Sequence, residues 1–167
     1  CMAFPTIIAS GRNSAYSHHD NTSKKINSGD SVICDFGAYY QGYCSDITRT
    51  VLVRNVNAQL QDIYNIVLEG KEKATKMVKE GEKLKNIDLF IRNFFKKYRY
   101  DKYFVHSTGH GVGLEVHEAP KVSCTDKDKI LQGNVLTIEP GIYVPKKFGV
   151  RIEDTILVTS HGAKILT

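Results

Sequence analysis

The sequence predicts an α+β domain, and three observations carry that expectation. Residues rich in Val, Ile, Tyr and Thr fill positions 31–53, two amphipathic helical patterns follow between 57 and 98, and strand-type runs then resume. Helices collected in one block between strand blocks point to helices on one face of a mainly antiparallel sheet.

Taken in order, 31–40 and 43–53 read as a hairpin, because Gln41-Gly42 between them offers a two-residue turn. With that loop Tyr40 faces Tyr43, and the same register sets Asp46 opposite Gly37. Asn57 is a good N-cap, and Leu60, Ile63, Tyr64, Val67, Leu68, Ala74, Met77 and Val78 keep helical spacing up to Gly81. A helix over 57–80 is expected, and Leu84, Ile87, Phe90, Ile91, Phe94, Phe95 and Tyr98 predict a second over 85–98. Strands are expected again around 104–106, 115–117, 135–138, 142–144 and 150–158. No repeat, low-complexity tract or linker interrupts the chain, so its 167 residues read as one domain.

Composition narrows the function classes. With 41% hydrophobic and 25% charged residues the chain is neither a disordered nor a fibrous sequence. No apolar run approaches the roughly 18 residues of a membrane helix, and no basic stretch followed by an apolar segment opens the chain, so a cytoplasmic protein without a membrane partner is expected. The four cysteines form no C-x-x-C pair, and reduced thiols follow. The net charge of +5 rests largely on Lys71, Lys73, Lys76, Lys79, Lys83 and Lys85, interleaved with Glu69, Glu72, Glu80 and Glu82. Glu69 with Lys73 and Glu72 with Lys76 stand in the favourable Glu-first order. No aromatic residues interleave these lysines, so the row reads as a solvated helix face and no nucleic-acid partner is expected.

Acidic residues inside apolar strands are the informative anomaly. Asp35 interrupts Val32-Ile33-Cys34 and Phe36, where a half-buried charge must be paired or ligated. The hairpin register makes Asp46 its diagonal neighbour on one face, with backbones roughly 7 to 8 Å apart. Two carboxylates so placed repel unless a cation lies between them. Three of the six histidines, His106, His110 and His117, fall within twelve positions beside Gly109, Gly111 and Gly113. Their spacing fits neither a phosphate-binding G-x-G-x-x-G nor a zinc-binding H-E-x-x-H. Glu139 breaks a third apolar run. Strand alternation puts Arg151 and Glu153 on one face, with Val150, Ile152 and Asp154 on the other. An exposed Arg151–Glu153 pair would be worth little and leaves Glu139 unexplained.

The strings Asp35-Phe-Gly, Ser45-Asp46-Ile-Thr-Arg-Thr50, 106–120, Ile138-Glu139-Pro-Gly-Ile-Tyr143 and Val150-Arg-Ile-Glu153-Asp154 resemble the pita-bread metallopeptidases. Within that family of methionine aminopeptidase, aminopeptidase P, prolidase and creatinase, they look most like the Xaa-Pro branch. The resemblance implies a curved, mainly antiparallel sheet with helices on its outer face. It implies a metal set of Asp35, Asp46, His110, Glu139 and Glu153, with Asp35 on one metal, Asp46 and Glu153 bridging, and His110 and Glu139 completing the other. Four carboxylates and two divalent ions sum to zero charge, and the donors suit manganese first, with cobalt, zinc or iron as alternatives.

By the same likeness a hydroxide bridging the metals attacks the bond preceding proline, as in an Xaa-Pro dipeptidase or aminopeptidase. Glu139 moves the proton to the leaving nitrogen, and His18 and His117, with His106, bind the substrate carbonyl and steady the tetrahedral intermediate. His106, Tyr143 and Arg151 contact substrate or support the site. The expected partner is a peptide with proline in second position, and a homo-oligomer is left open. Methionine aminopeptidase activity, creatinase-like hydrolysis and a non-catalytic binding module are the alternatives, the last weakened because all five ligand types are present. Relatives carry helices and a strand before the segment matching Phe4-Pro-Thr-Ile-Ile, so residues upstream of Cys1, and an uncovered sheet face without them, are expected.

Overall fold

A two-residue turn sets the register of the first half. Gln41 and Gly42 both adopt left-handed backbone, with φ of 48° and 90°, the conformation that matches the twist of a hairpin. The computed structural model describes all 167 residues and runs β1 (Ile7–Ser10), β2 (Ser31–Phe36), β3 (Tyr39–Tyr40), β4 (Tyr43–Cys44), β5 (Ile47–Leu52), α1 (Ala58–Met77), α2 (Leu84–Lys97), β6 (Gly109–Gly111), β7 (Glu118–Val122), β8 (Val135–Ile138), β9 (Gly141–Val144), β10 (Phe148–Arg151), β11 (Asp154–Thr159) and β12 (Gly162–Ile165). Tyr40 pairs with Tyr43 and Asp35 with Thr48, the expected register. The hairpin is nonetheless two ladders. Pairing lapses at Gly37-Ala38 and Ser45-Asp46, where a Cβ on Gly37 would come within 2.0 Å of the Ser45 carbonyl oxygen.

Every strand pairing is antiparallel. β1, β2 and β5 form one sheet, and β12, β11, β8, β6 and β7 form the largest, with β9 and β10 as a separate hairpin. Threonines join the halves along β5. Thr50 exchanges hydrogen bonds with the Arg151 backbone, Thr48 carbonyl accepts from the Glu153 amide at 3.1 Å, and Thr155 Oγ1 donates to the Asp46 carbonyl at 2.7 Å.

The expected strand over 150–158 is therefore two strands. At Ile152 and Glu153 the chain leaves its pairing with β9 and joins β8. The expected strands at 104–106 and 115–117 are absent: 101–103 is a helical turn, and 112–117 is irregular up to β7. β1 and β12 were not expected. They are four-residue edge strands whose pattern is too short to read.

The helices form where helical spacing predicts them. Asn57 caps α1 by accepting from the Leu60 amide at 2.9 Å. The helix ends at Met77, three residues before the expected position, because Val78 turns extended and buries at 1% exposure. Leu60, Ile63, Val67 and Ala74 of α1 and Leu84, Ile87, Ile91 and Phe95 of α2 enter one core with Leu136, Ile138, Ile142, Val150 and Ile156 of the sheets. Gly70 brings the helices close, since a Cβ there would stand 3.2 and 3.3 Å from the Phe94 and Phe95 rings. Lys71 corrects the reading of the lysine row: it is buried and paired with Asp154, which also accepts from Arg49 Nη2 at 2.9 Å. Glu69 and Lys73 do pair at the surface, 2.6 Å apart. No helix is long and apolar enough to cross a membrane, and the four cysteines are free.

On the three-stranded sheet, Ile33, Asp35, Thr48 and Thr50 share the inner face by register. Ile8, Phe36 and Val51 share the outer one, at 41%, 44% and 52% exposure. The same face also carries Val32 and Ser10, both buried, so it is exposed only in part.

Candidate metal centre

The five predicted donors converge on one cleft of about 950 Å³, and three of them lie outside the strands, just before or after one. Asp35 projects from β2, and Asp46 occupies the lapse before β5 rather than a strand. His110 lies in the three-residue β6, Glu139 follows β8, and Glu153 sits where the chain crosses from β10 to β11. A break lets consecutive side chains leave the strict alternation of a strand. Glycine contributes at β6: a Cβ on Gly109 would lie 1.9 Å from the Thr137 carbonyl oxygen, so only glycine lets His110 seat its amide on Thr137 Oγ1 at 3.0 Å.

The donor atoms form overlapping groups. Asp46, His110 and His117 make one group; of the other two, one gathers oxygens of Asp35, Asp46 and Glu153 within 4.8 Å of one another, and the other sets a His110 ring nitrogen as close to oxygens of Glu139 and Glu153. Glu153 belongs to both of these. His110 Nε2 stands 3.2 Å from Glu139 and 3.7 Å from Asp46. Asp35 Oδ1 and Glu153 Oε1 are buried without a hydrogen-bond partner, an expensive condition for carboxylate oxygens. Hard oxygen donors with one imidazole and two unpartnered oxygens fit a divalent cation.

Crowding shifts the titrating groups. Burial, then the charges of Asp35 and Glu139, push Asp46 up to about 7 against the pull of His110 and Arg151. Burial, then Glu139 and Asp46, hold Glu153 well above the usual carboxylate range. Burial alone would raise Glu139, but its hydrogen bond to His110 and the charges of His106, His110 and Arg151 bring it below that range. His110 rises, because Glu139 and Asp46 outweigh its desolvation.

Of the other predicted residues, His18, His106, His117 and Arg151 line the same cleft, whereas Tyr143, expected to contact substrate, is buried and does not line it, its hydroxyl being held by His106 and Arg151. Arg151, 2% exposed, does not form the exposed pair with Glu153. Its Nη2 meets Asp35 at 2.5 Å, Nη1 donates to the Tyr143 hydroxyl and the Ser17 carbonyl, and Nε donates to Thr48. The zero-charge sum therefore omitted one buried cation. Since arginine only donates, the Tyr143 oxygen accepts from it and its hydrogen turns to His106 Nε2, 2.9 Å away. His106 then donates from Nδ1 to the Ser107 carbonyl at 2.8 Å. Burial holds His106 low and pushes Tyr143 up to about 12, so the ring is neutral and the phenol protonated. His106 and Arg151 are thus largely occupied within the chain. His18 and His117 line the cleft as exposed rings, and His117 stands 4.2 Å from the His110 ring centroid. Thr48, which donates to Glu153 Oε2 at 2.7 Å, was not expected; the sole sequence signal was its place two residues after Asp46.

A curved, mainly antiparallel sheet holding four clustered carboxylates with His110 among them, in a cleft lined by further histidines, defines the class, the pita-bread metallopeptidases. The chain belongs to metallopeptidase family M24, whose profile matches residues 1–160. It is 52% identical over 165 residues to the Xaa-Pro dipeptidase of Pyrococcus furiosus and 54% identical to that of Pyrococcus horikoshii, covering 99% of this chain and 47% of either relative. Among solved structures, the prolidase from Pyrococcus furiosus superposes with a TM-score of 0.97 at 51% identity, covering 99% of this chain and 49% of that one. The X-Pro aminopeptidase from Thermotoga maritima does so at 0.96 and 42%, with 99% and 47% covered. The chain thus spans about half the length of these relatives.

Proposed function

We propose that this chain is the catalytic part of a peptidase that hydrolyses the bond preceding proline in Xaa-Pro dipeptides or short Xaa-Pro peptides. The observation that carries the reading is the pair of donor groups sharing Glu153, with two buried carboxylate oxygens left unpartnered. Asp35, Asp46 and Glu153 would hold one divalent cation and His110, Glu139 and Glu153 a second, with manganese the first candidate and cobalt, zinc or iron the others. Bound there, the cations would polarise the scissile carbonyl and bring the ionisation of water towards neutral pH.

The chain's own groups do the rest. Glu139, ionised and hydrogen-bonded to Thr137 and His110, is placed to carry a proton on Oε1 to the proline nitrogen as the bond breaks. His18 and His117 stand in the cleft as donors for the substrate's carbonyl and carboxylate oxygens, a role proline makes necessary because its nitrogen offers no N–H. Arg151 fixes Asp35 and Tyr143, and its one uncommitted N–H is what remains for substrate. The relatives named for Xaa-Pro substrates support this choice over methionine release.

Turnover of Ala-Pro, Ala-Pro-Ala and Met-Ala-Ser by the manganese-loaded chain tests it. Cleavage of the first two with the third left intact is expected, and preferential release of methionine overturns the assignment.

A further inference from the structure

Asp88 lies on α2 outside the cleft and is completely buried, where an unpaired charge is very costly. It is fully satisfied. Oδ2 accepts from Arg92 Nε at 2.7 Å and the Cys124 amide at 2.9 Å, and Oδ1 accepts from the Thr108 amide at 3.0 Å and hydroxyl at 2.8 Å. Docking α2 does not require this, since Ile87, Ile91 and Phe95 already bury completely on the same face. A carboxylate in such a place contributes direction, because hydrogen bonds fix angles that apolar contacts leave free.

Its partners lead to the cleft. Arg92 Nη2 donates to the His106 carbonyl at 2.8 Å, while its guanidinium covers the Phe104 ring at 4.8 Å. Phe104 in turn meets the His106 ring edge-on at 5.1 Å. Arg92 therefore holds His106 twice, by its backbone and through the ring it packs against. Thr108 reaches the other side, because its carbonyl accepts from the Glu139 amide at 2.8 Å. Asp88 thus sits two hydrogen bonds behind both.

We infer that Asp88 and Arg92 form a positioning pair that sets where His106, carrying Tyr143 on its Nε2, and Glu139 stand in the cleft. The inference rests on the peptidase reading for its kinetic consequence. Neither side chain touches substrate; misplacing a reacting group by about 1 Å is enough to cost on the order of a hundredfold in rate.

Arg92→Lys tests the pair, since one ammonium can stay beside Asp88 but cannot span both Asp88 and the His106 carbonyl as the guanidinium fork does. In the manganese-loaded chain kcat for Ala-Pro should fall about tenfold or more with KM nearly unchanged. Melting temperature and manganese affinity should stay close to the parent's, and in the metal-free chain the ring ¹H–¹⁵N signals of His106 should move. Unchanged kcat, or a loss matched by the unfolded fraction alone, overturns the inference. Should the parent cleave no Xaa-Pro peptide, the peptidase reading fails by itself. The His106 ring signals then still decide the positioning role, which unchanged signals in Arg92→Lys would overturn. Thr108→Val, which deletes one bond to Asp88 and spares Arg92, serves if the first variant does not fold. It should shift the Glu139 amide signal, and an unmoved signal overturns the inference.

Discussion

Asp46 is the residue on which the proposed cation site has its largest electrostatic consequence. Its carboxyl is 5% exposed and titrates near 7, raised by burial and by Asp35 and Glu139, and Glu153 is raised with it. In the folded, metal-free chain both keep protons that the unfolded chain gives up near pH 4. For Asp46, a folded pKa above the unfolded one contributes stability that is complete below about pH 4 and is lost as pH rises through about 7. A divalent cation replaces those protons, so the rise in melting temperature on adding manganese should be larger at pH 8 than at pH 5. Calorimetry at the two pH values checks this, and equal shifts would contradict it. Asp46→Asn removes a repulsive charge, so at pH 8 without metal it should melt a few degrees above the parent, since about 1 kcal/mol moves a domain of this size by roughly 2 to 4 °C. The same variant should lose its response to manganese.

At this scale the sequence was legible wherever an acid interrupted an apolar strand, as Asp35, Glu139 and Glu153 do. It was not legible on helices. Lys71 looks like one more lysine in a solvated row, and its partner Asp154 lies 83 residues away. Asp88 stands beside Ile87, one turn before Ile91 and two before Phe95, and a polar residue in an apolar stripe was the available signal.

Among elements, the helices were read nearly to their ends because three- and four-residue spacing persists over fourteen to twenty residues. Short strands were not, since the site borrows their ends: His106 and His117 lie in irregular backbone that brings them to the cleft. The α1–α2 contact gives a test that does not involve the site. Gly70→Val would press its methyl groups on Phe94 and Phe95, overpacking worth about 1 to 3 kcal/mol. Asn57→Ala, which removes the α1 cap, should cost about 1 kcal/mol. Urea unfolding followed by circular dichroism ranks the two, and a neutral Gly70→Val would show that the helices can move apart freely.

For the molecule as a whole, hairpin register and the order of the blocks were enough to place Asp35 and Asp46 together, whereas the junction of the halves was invisible. That junction runs through Thr48, Thr50 and Thr155, residues that read as ordinary strand formers. The exposure of Ile8, Phe36 and Val51 on one face has no counterpart in local pattern.

The same junction dictates when the cleft can exist during folding. Thr48 meets Glu153 across 105 positions of chain, and Arg151 meets Asp35 across 116. Contacts of such separation bear the full loop-closure entropy and close late. At the proposed site a cation would have nothing to grip until both halves have docked, so it would act as a latch on the finished molecule and not as a template for its assembly. Stopped-flow traces should therefore show a folding rate indifferent to manganese and an unfolding rate slowed in proportion to the stability gained. Acceleration of folding by the metal would place the junction in the rate-limiting nucleus instead.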